Sequence, residues 1–165
     1  MPKQDGFIIA SNHSSNADPI LVGLAAKRKV SYMAKDSLFK NKILGFILKL
    51  VNTFPVKRDT ADIRSIREAL RRLKTGSPLL LFPEGTRGKS DSGKNIKSGI
   101  GMLATRSGVM VVPTKIIGSE RVLPPGAKFL RRHPVKIIFG NPFSYSKEDD
   151  YEQVSSQIMA AVKSL

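Results

Sequence analysis

Residues 6–28, GFIIASNHSSNADPILVGLAAKR, decide the fold. Phe7-Ile8-Ile9-Ala10 reads as a strand, and Ser11 to Ala17 as the polar turn that follows it. Asp18-Pro19 has the form of a helix N-cap followed by proline at the first helical position. Ile20 to Arg28 is then the helix. Strand, turn and helix in so short a stretch are the repeating unit of α/β proteins.

The same alternation continues outward along the chain. Val30 to Ala34 reads as a short strand, Ser37 to Val51 as a helix apolar on nearly every side, and Phe54-Pro55-Val56 as an extended segment. Ala61 to Lys74 carries Ile63, Ile66, Leu70 and Leu73 at helical spacing, with Gly76 placed to end it. Leu79-Leu80-Leu81-Phe82 is a continuous apolar strand, and Pro83 to Arg87 a loop. Gly88 to Asn95 reads as a polar, mobile segment and Lys97 to Arg106 as a helix. Val109 to Val112 and Val135 to Phe139 are two further strands, and Tyr151 to Ser164 a final helix with Tyr151, Val154, Ile158 and Val162 on one face. The expected architecture is α/β: a single domain, 1–165, with a mixed, largely parallel sheet flanked by helices.

Composition narrows the function classes. With 41% apolar and 25% charged residues the chain is neither fibrous nor disordered. It has no cysteine, which excludes disulfides, zinc ribbons and thiol catalysis. The formal charge is +15, and acidic residues gather late: residues 148–165 sum to −3, leaving +18 on residues 1–147. Such a field favours anionic partners. Nucleic acid is not expected, because no Trp and only three Tyr leave few stacking platforms. The longest mostly apolar stretch, Ile43 to Val51, contains Lys49 and falls far short of the ~20 residues of a membrane span.

Chemically capable residues cluster just after strands, where α/β proteins place their sites. The first cluster is Asn12-His13-Ser14-Ser15-Asn16-Ala17-Asp18. A carboxylate beside a histidine fixes its tautomer and stabilises the imidazolium, the minimum for general-base work. On a continuous helix the two would diverge by about 140°, so only a turn can bring them together. Spacing alone favours the plainer reading, in which His13 is a surface loop residue and Asp18 a helix cap. The second cluster, Phe82 to Arg87, offers an arginine fork and backbone N–H groups for a phosphorylated polyol; a surface pair of Glu84 with Arg87 is the alternative. The third is Lys57-Arg58-Asp59.

Taken together, these blocks resemble the glycerolipid acyltransferases of the 1-acylglycerol-3-phosphate acyltransferase type. NHSSNADP at 12–19 matches the family's NHxxxxD block and FPEGTR at 82–87 its phosphate-site block. FPVKRD at 54–59 and VVPTKIIG at 111–118 follow the family's order. The resemblance spans roughly residues 7–140 and removes the plainer reading of His13 and Asp18. It implies a glycerol-phosphate acyltransferase-like fold and O-acyl transfer in phospholipid synthesis. His13 would be the general base and Asp18 its orienting partner. Arg58 and Arg87 would bind the acceptor phosphate, with Glu84 and Gly85 shaping the glycerol pocket, Thr86 a further substrate-binding residue and Lys97 a further phosphate candidate.

The resemblance further implies an acyl-CoA or acyl carrier protein donor, a lysophosphatidic-acid-like acceptor, and neither cofactor nor metal. Acylation of glycerol-3-phosphate or another lysolipid is the neighbouring alternative. A non-catalytic basic module would account for the charge but not for the ordered motifs. Family members usually carry a hydrophobic segment before NHxxxxD, and here 11 residues precede it, so the domain is read as lacking that segment. The expectation is a cytoplasmic protein, peripheral on an anionic membrane face. Two readings remain for residues 37–51: a membrane-contacting helix edged by lysines, or an ordinary buried one.

Overall fold

The computed structural model describes residues 2, 4–57, 62–83, 93–124, 127 and 129–165, with residues 93–98 as backbone alone. In chain order the elements are β1 (Ile8–Ser11), α1 (Asp18–Ala26), β2 (Ser31–Lys35), a 3-10 turn (Asp36–Phe39), α2 (Lys42–Leu50) and β3 (Thr53–Val56). They continue with α3 (Ile63–Lys74), β4 (Leu79–Leu81), α4 (Gly93–Ser107), β5 (Val111–Ile117), α5 (Ser119–Val122), β6 (Lys136–Phe139) and α6 (Tyr151–Lys163). The strands form one sheet in the order β3-β2-β4-β1-β5-β6. β1 to β5 are parallel, and β6 closes the edge antiparallel to β5.

β1 lies inside the sheet, Ile9 opposite Leu80 on one side and Val112 on the other. Successive side chains of a strand point to opposite faces, and both faces here are buried. Ile8 and Ala10 join Leu79 and Val111 in a core with Ala69 and Leu73 of α3, Leu103 and Ala104 of α4, and Val154 and Ile158 of α6. Phe7 and Ile9 face the other way, with Leu80, Val112 and the α1 residues Val22 and Ala26. Three helices thus cover one face and α1 the other.

Several boundaries differ from the sequence reading. The expected helix 37–51 is broken, because the Asn41 side chain accepts the Leu44 N–H at 3.1 Å and starts α2 afresh. β5 runs on to Ile117 although Pro113 lies within it. A proline usually marks a strand end because it cannot donate. Here the β6 ladder begins only at Thr114, so that side needs no N–H from Pro113. α4 begins at Gly93, so residues 93–95 of the expected mobile segment are helical and 88–92 lie outside the described residues.

Candidate active site

The chain leaves β1 at the end towards which all five parallel strands run, and Asn12 extends the ladder with its side chain. Its Nδ2 donates to the Ile116 carbonyl at 2.9 Å and its Oδ1 accepts the Ile116 N–H at 2.7 Å. Ser15 makes a second tie, its hydroxyl donating to the Leu123 carbonyl at 3.1 Å. The loop 12–17 is therefore pinned to β5 and α5 at two points, with His13 between them.

Asp18 is the first residue of α1, not its cap. The cap position is Ala17, which makes no side-chain bond. The carboxylate instead turns back on the preceding loop. Its Oδ2 accepts from His13 Nδ1 at 2.8 Å, from Ser14 N–H at 2.7 Å and from Ser15 N–H at 2.8 Å. An ionised carboxylate only accepts, so Nδ1 carries the proton and the lone pair sits on Nε2. Asp18 is wholly buried and the His13 side chain 16% exposed. Burial pushes the Asp18 carboxyl up, but the bonds from His13, Ser15 and Ser14, together with the nearby Ser119 hydroxyl, outweigh it and hold the group below the ordinary carboxylate range.

Two more side chains complete the surroundings. The Phe82 ring stacks on the His13 imidazole, centroids 4.1 Å apart and planes 18° apart. Ser119 is fully buried at the start of α5. Its hydroxyl lies near enough to Asp18 to favour the ionised form, yet short of a well-formed hydrogen bond. Neither Ser119 Oγ nor Asp18 Oδ1 has another partner among the described residues. Gly118 delivers it: the turn needs φ 91°, and a Cβ there would meet the Pro134 carbonyl at 2.6 Å.

Of the residues read from sequence, the structure brings His13 and Asp18 together. Arg58, Glu84, Gly85, Thr86 and Arg87 lie outside the described residues, and Lys97 lies on α4 where the backbone alone is described. Their approaches are visible. Phe82 and Pro83 leave β4, the neighbour of β1, whereas Lys57 leaves β3, three strands away and so roughly 14 Å across the sheet. The sequence reading assigned no role to Asn12, Phe82 or Ser119. Asn12 and Phe82 stood inside quoted motifs, but nothing in the sequence ties Ser119 to Asp18. Among the described residues no three His, Asp or Glu side chains converge as metal ligands would.

The chain and its largely parallel sheet have counterparts among known proteins. The family model described as Acyltransferase matches residues 1–117, and the chain belongs to that family. More particularly, it is 33% identical over 143 residues to the 1-acyl-sn-glycerol-3-phosphate acyltransferase of Bacillus subtilis, covering 86% of this chain and 69% of that protein. It is 32% identical to the chloroplastic enzyme LPAT1 of Arabidopsis thaliana, over 86% of this chain and 40% of that one. The crystal structure of the 1-acyl-sn-glycerophosphate (LPA) acyltransferase PlsC from Thermotoga maritima superposes with a TM-score of 0.73 at 28% identity, covering 99% of this chain and 67% of that one. The chain thus spans about two thirds of these bacterial relatives and two fifths of the plant one.

Proposed function

We propose that the protein transfers an acyl chain from a thioester to the free hydroxyl of a lysophosphatidic-acid-like acceptor. The observation that carries this is the His13–Asp18 pair, in which Nδ1 is bonded to the carboxylate and Nε2 is the nitrogen that can act as base. Relatives whose names state this reaction support the choice of acceptor.

In the proposed reaction the acceptor hydroxyl gives its proton to His13 Nε2 as its oxygen attacks the thioester carbonyl. Asp18 stabilises the imidazolium that forms. The carbon–sulfur bond then breaks, and the departing sulfur takes the proton back from His13 Nε2 and leaves as the thiol. The donor is acyl-CoA or an acyl carrier protein thioester, so the acyl group arrives activated and no enzyme nucleophile is required. Arg58 and Arg87 take the acceptor phosphate. Lys97 adds charge, Glu84 and Gly85 shape the glycerol pocket, and Thr86 is a further substrate-binding residue.

The acceptor is an amphiphile, so the reaction belongs at a lipid–water boundary. The charge of +15 favours an anionic one, read here as the cytoplasmic membrane face. No helix among the described residues is long and apolar enough to cross a membrane. The test is thiol release from an acyl thioester with and without lysophosphatidic acid. Release that requires the acceptor, with phosphatidic acid as product, supports transfer. Equal release without it, giving free fatty acid, would make the protein a thioesterase.

A further inference from the structure

Helix α2 is built the wrong way round for a helix of a folded domain. Amphipathic helices turn their apolar stripe inward, as α3 does with Ala69 and Leu73. In α2 the stripe is Ile43, Phe46, Ile47 and Leu50, at spacings of three and four, within an arc of about 100°. These side chains are 76%, 63%, 48% and 65% exposed. The one buried residue of the helix is Gly45, on the opposite side, packed so closely on the 3-10 turn that a Cβ would stand 3.0 Å from the Phe39 carbonyl. That contact fixes the rotation of the helix. The reading of this stretch as an ordinary buried helix is therefore overturned.

The charge around the stripe says what covers it. Lys42 and Lys49 border one edge of the arc, and Lys40 precedes the helix, all three exposed. Residues 37–57 contain four lysines and no acidic residue. A two-fold contact between copies of this chain would set these lysines near one another with no local carboxylate to pair them, which opposes association. A surface that accepts apolar side chains while presenting anionic groups at its rim satisfies both features at once: an anionic lipid bilayer. The 3-10 turn that leads into α2 follows directly from the end of β2, on the side of the sheet where β1 delivers His13.

We propose that α2 is a membrane-docking helix, its Ile43–Phe46–Ile47–Leu50 stripe inserted among acyl chains and its lysines on anionic headgroups. The inference rests on the acyl-transfer reading for what the surface supplies, namely the acceptor.

The test is sedimentation with vesicles of phosphatidylcholine alone or mixed with phosphatidylglycerol, at low and high salt. Wild type should bind the anionic vesicles, weaken but not release fully at high salt, and bind neutral vesicles poorly. The variant Ile43→Ser with Phe46→Ser and Leu50→Ser should lose at least ~10-fold in affinity at high salt, where insertion dominates. Lys42→Gln with Lys49→Gln should lose binding at low salt and little at high salt. The triple variant should keep its melting temperature, because the stripe is already in water. Unchanged vesicle binding by the triple variant would overturn the proposal. So would a wild-type dimer that the triple variant dissolves, since a second copy would then be the occupant. Turnover of a short-chain, water-soluble lysophosphatidic acid separates this from the chemistry: the triple variant should match wild type there. If neither protein turns that acceptor over while wild type still binds vesicles, the acyl-transfer reading fails and the docking helix stands.

Discussion

The ring of Phe82 lies on the imidazole of His13, with 4.1 Å between centroids and 18° between planes. Asp18 holds the histidine at one ring nitrogen, and Phe82 confines its face. An aromatic stack is worth about 0.5–1.5 kcal/mol, so Phe82→Leu is expected to lower kcat about two- to tenfold by that magnitude. The thermal midpoint should fall little, because Phe82 is only partly buried. Steady-state thiol release measures the first and differential scanning fluorimetry the second. Full wild-type kcat would show that the stack does not hold the ring in its working position.

His13→Ala should cost ~10²–10⁴-fold in kcat, the range for a lost general base. Asp18→Asn should cost a similar factor for a different reason. An amide oxygen in the place of Oδ2 can meet the same three donors, but it is uncharged and leaves the imidazolium without a counter-charge. That variant should also be less stable, because bonds to a charged acceptor contribute about 1.5–3 kcal/mol each. A His13→Ala protein retaining more than about a tenth of wild-type kcat would remove the histidine from the base role.

Ser119→Ala should raise the Asp18 pKa, since one of the groups favouring the ionised form is then gone. Ser119→Thr keeps a hydroxyl and should leave the titration near that of wild type. Carboxyl-carbon NMR of the three proteins reads this directly. An identical Asp18 titration in the alanine variant would detach the hydroxyl from the pair.

Phosphate recognition is tested by Arg58→Gln and Arg87→Gln. A charged hydrogen bond contributes about 1.5–3 kcal/mol, so kcat/KM for a phosphorylated acceptor should fall about ten- to a hundredfold. A dephosphorylated analogue should be affected much less. Equal losses on both acceptors would move the phosphate site elsewhere.

Acid stability has its own marker on α3. Glu68 accepts from Arg71 at 2.8 and 2.7 Å and from Arg72 at 2.7 Å. Chiefly through the Arg71 bonds, its carboxyl is held at about 2, below its ordinary 4.5. A depressed carboxyl stabilises the fold fully above its unfolded pKa and loses that contribution as pH falls through the folded one. Wild type should therefore exceed Glu68→Gln at neutral pH, by no more than about 1 kcal/mol for a pair this open to water. The gap should close between pH 4.5 and about 2. Urea denaturation at three pH values checks the sign, and a gap that persists at the lowest would refute it.

Arg72 also shows where sequence reading stops. In the sequence it is one of several cations on the polar side of a helix. In the structure its guanidinium donates to Asn52 O at 2.9 Å, Asn52 Oδ1 at 2.7 Å and Ser31 Oγ at 3.2 Å, over the Phe54 ring. Contacts of that kind depend on three distant segments meeting, and no local pattern announces them. The strands, the α3 and α6 faces and the His13–Asp18 pair were legible because each is written in local spacing or in a motif. Pro113 hid the length of β5, and Asn41 hid the break before α2. The exposure of the α2 stripe was open in sequence for a related reason: periodicity says which residues share a face, not what lies opposite it.

The His13–Asp18 pair is five residues apart in sequence, yet its loop is tied down by Ile116 and Leu123, separations of 104 and 108 residues. On a ribosome the clasp that fixes the loop emerges 104 and 108 residues after the side chains it holds. Long-range pairing of this kind is slow relative to local helix formation. Catalytic competence should then be among the last properties acquired in refolding, lagging the helical signal. The pairing of β1 with β5 is thus the step that sets the His13–Asp18 pair in place.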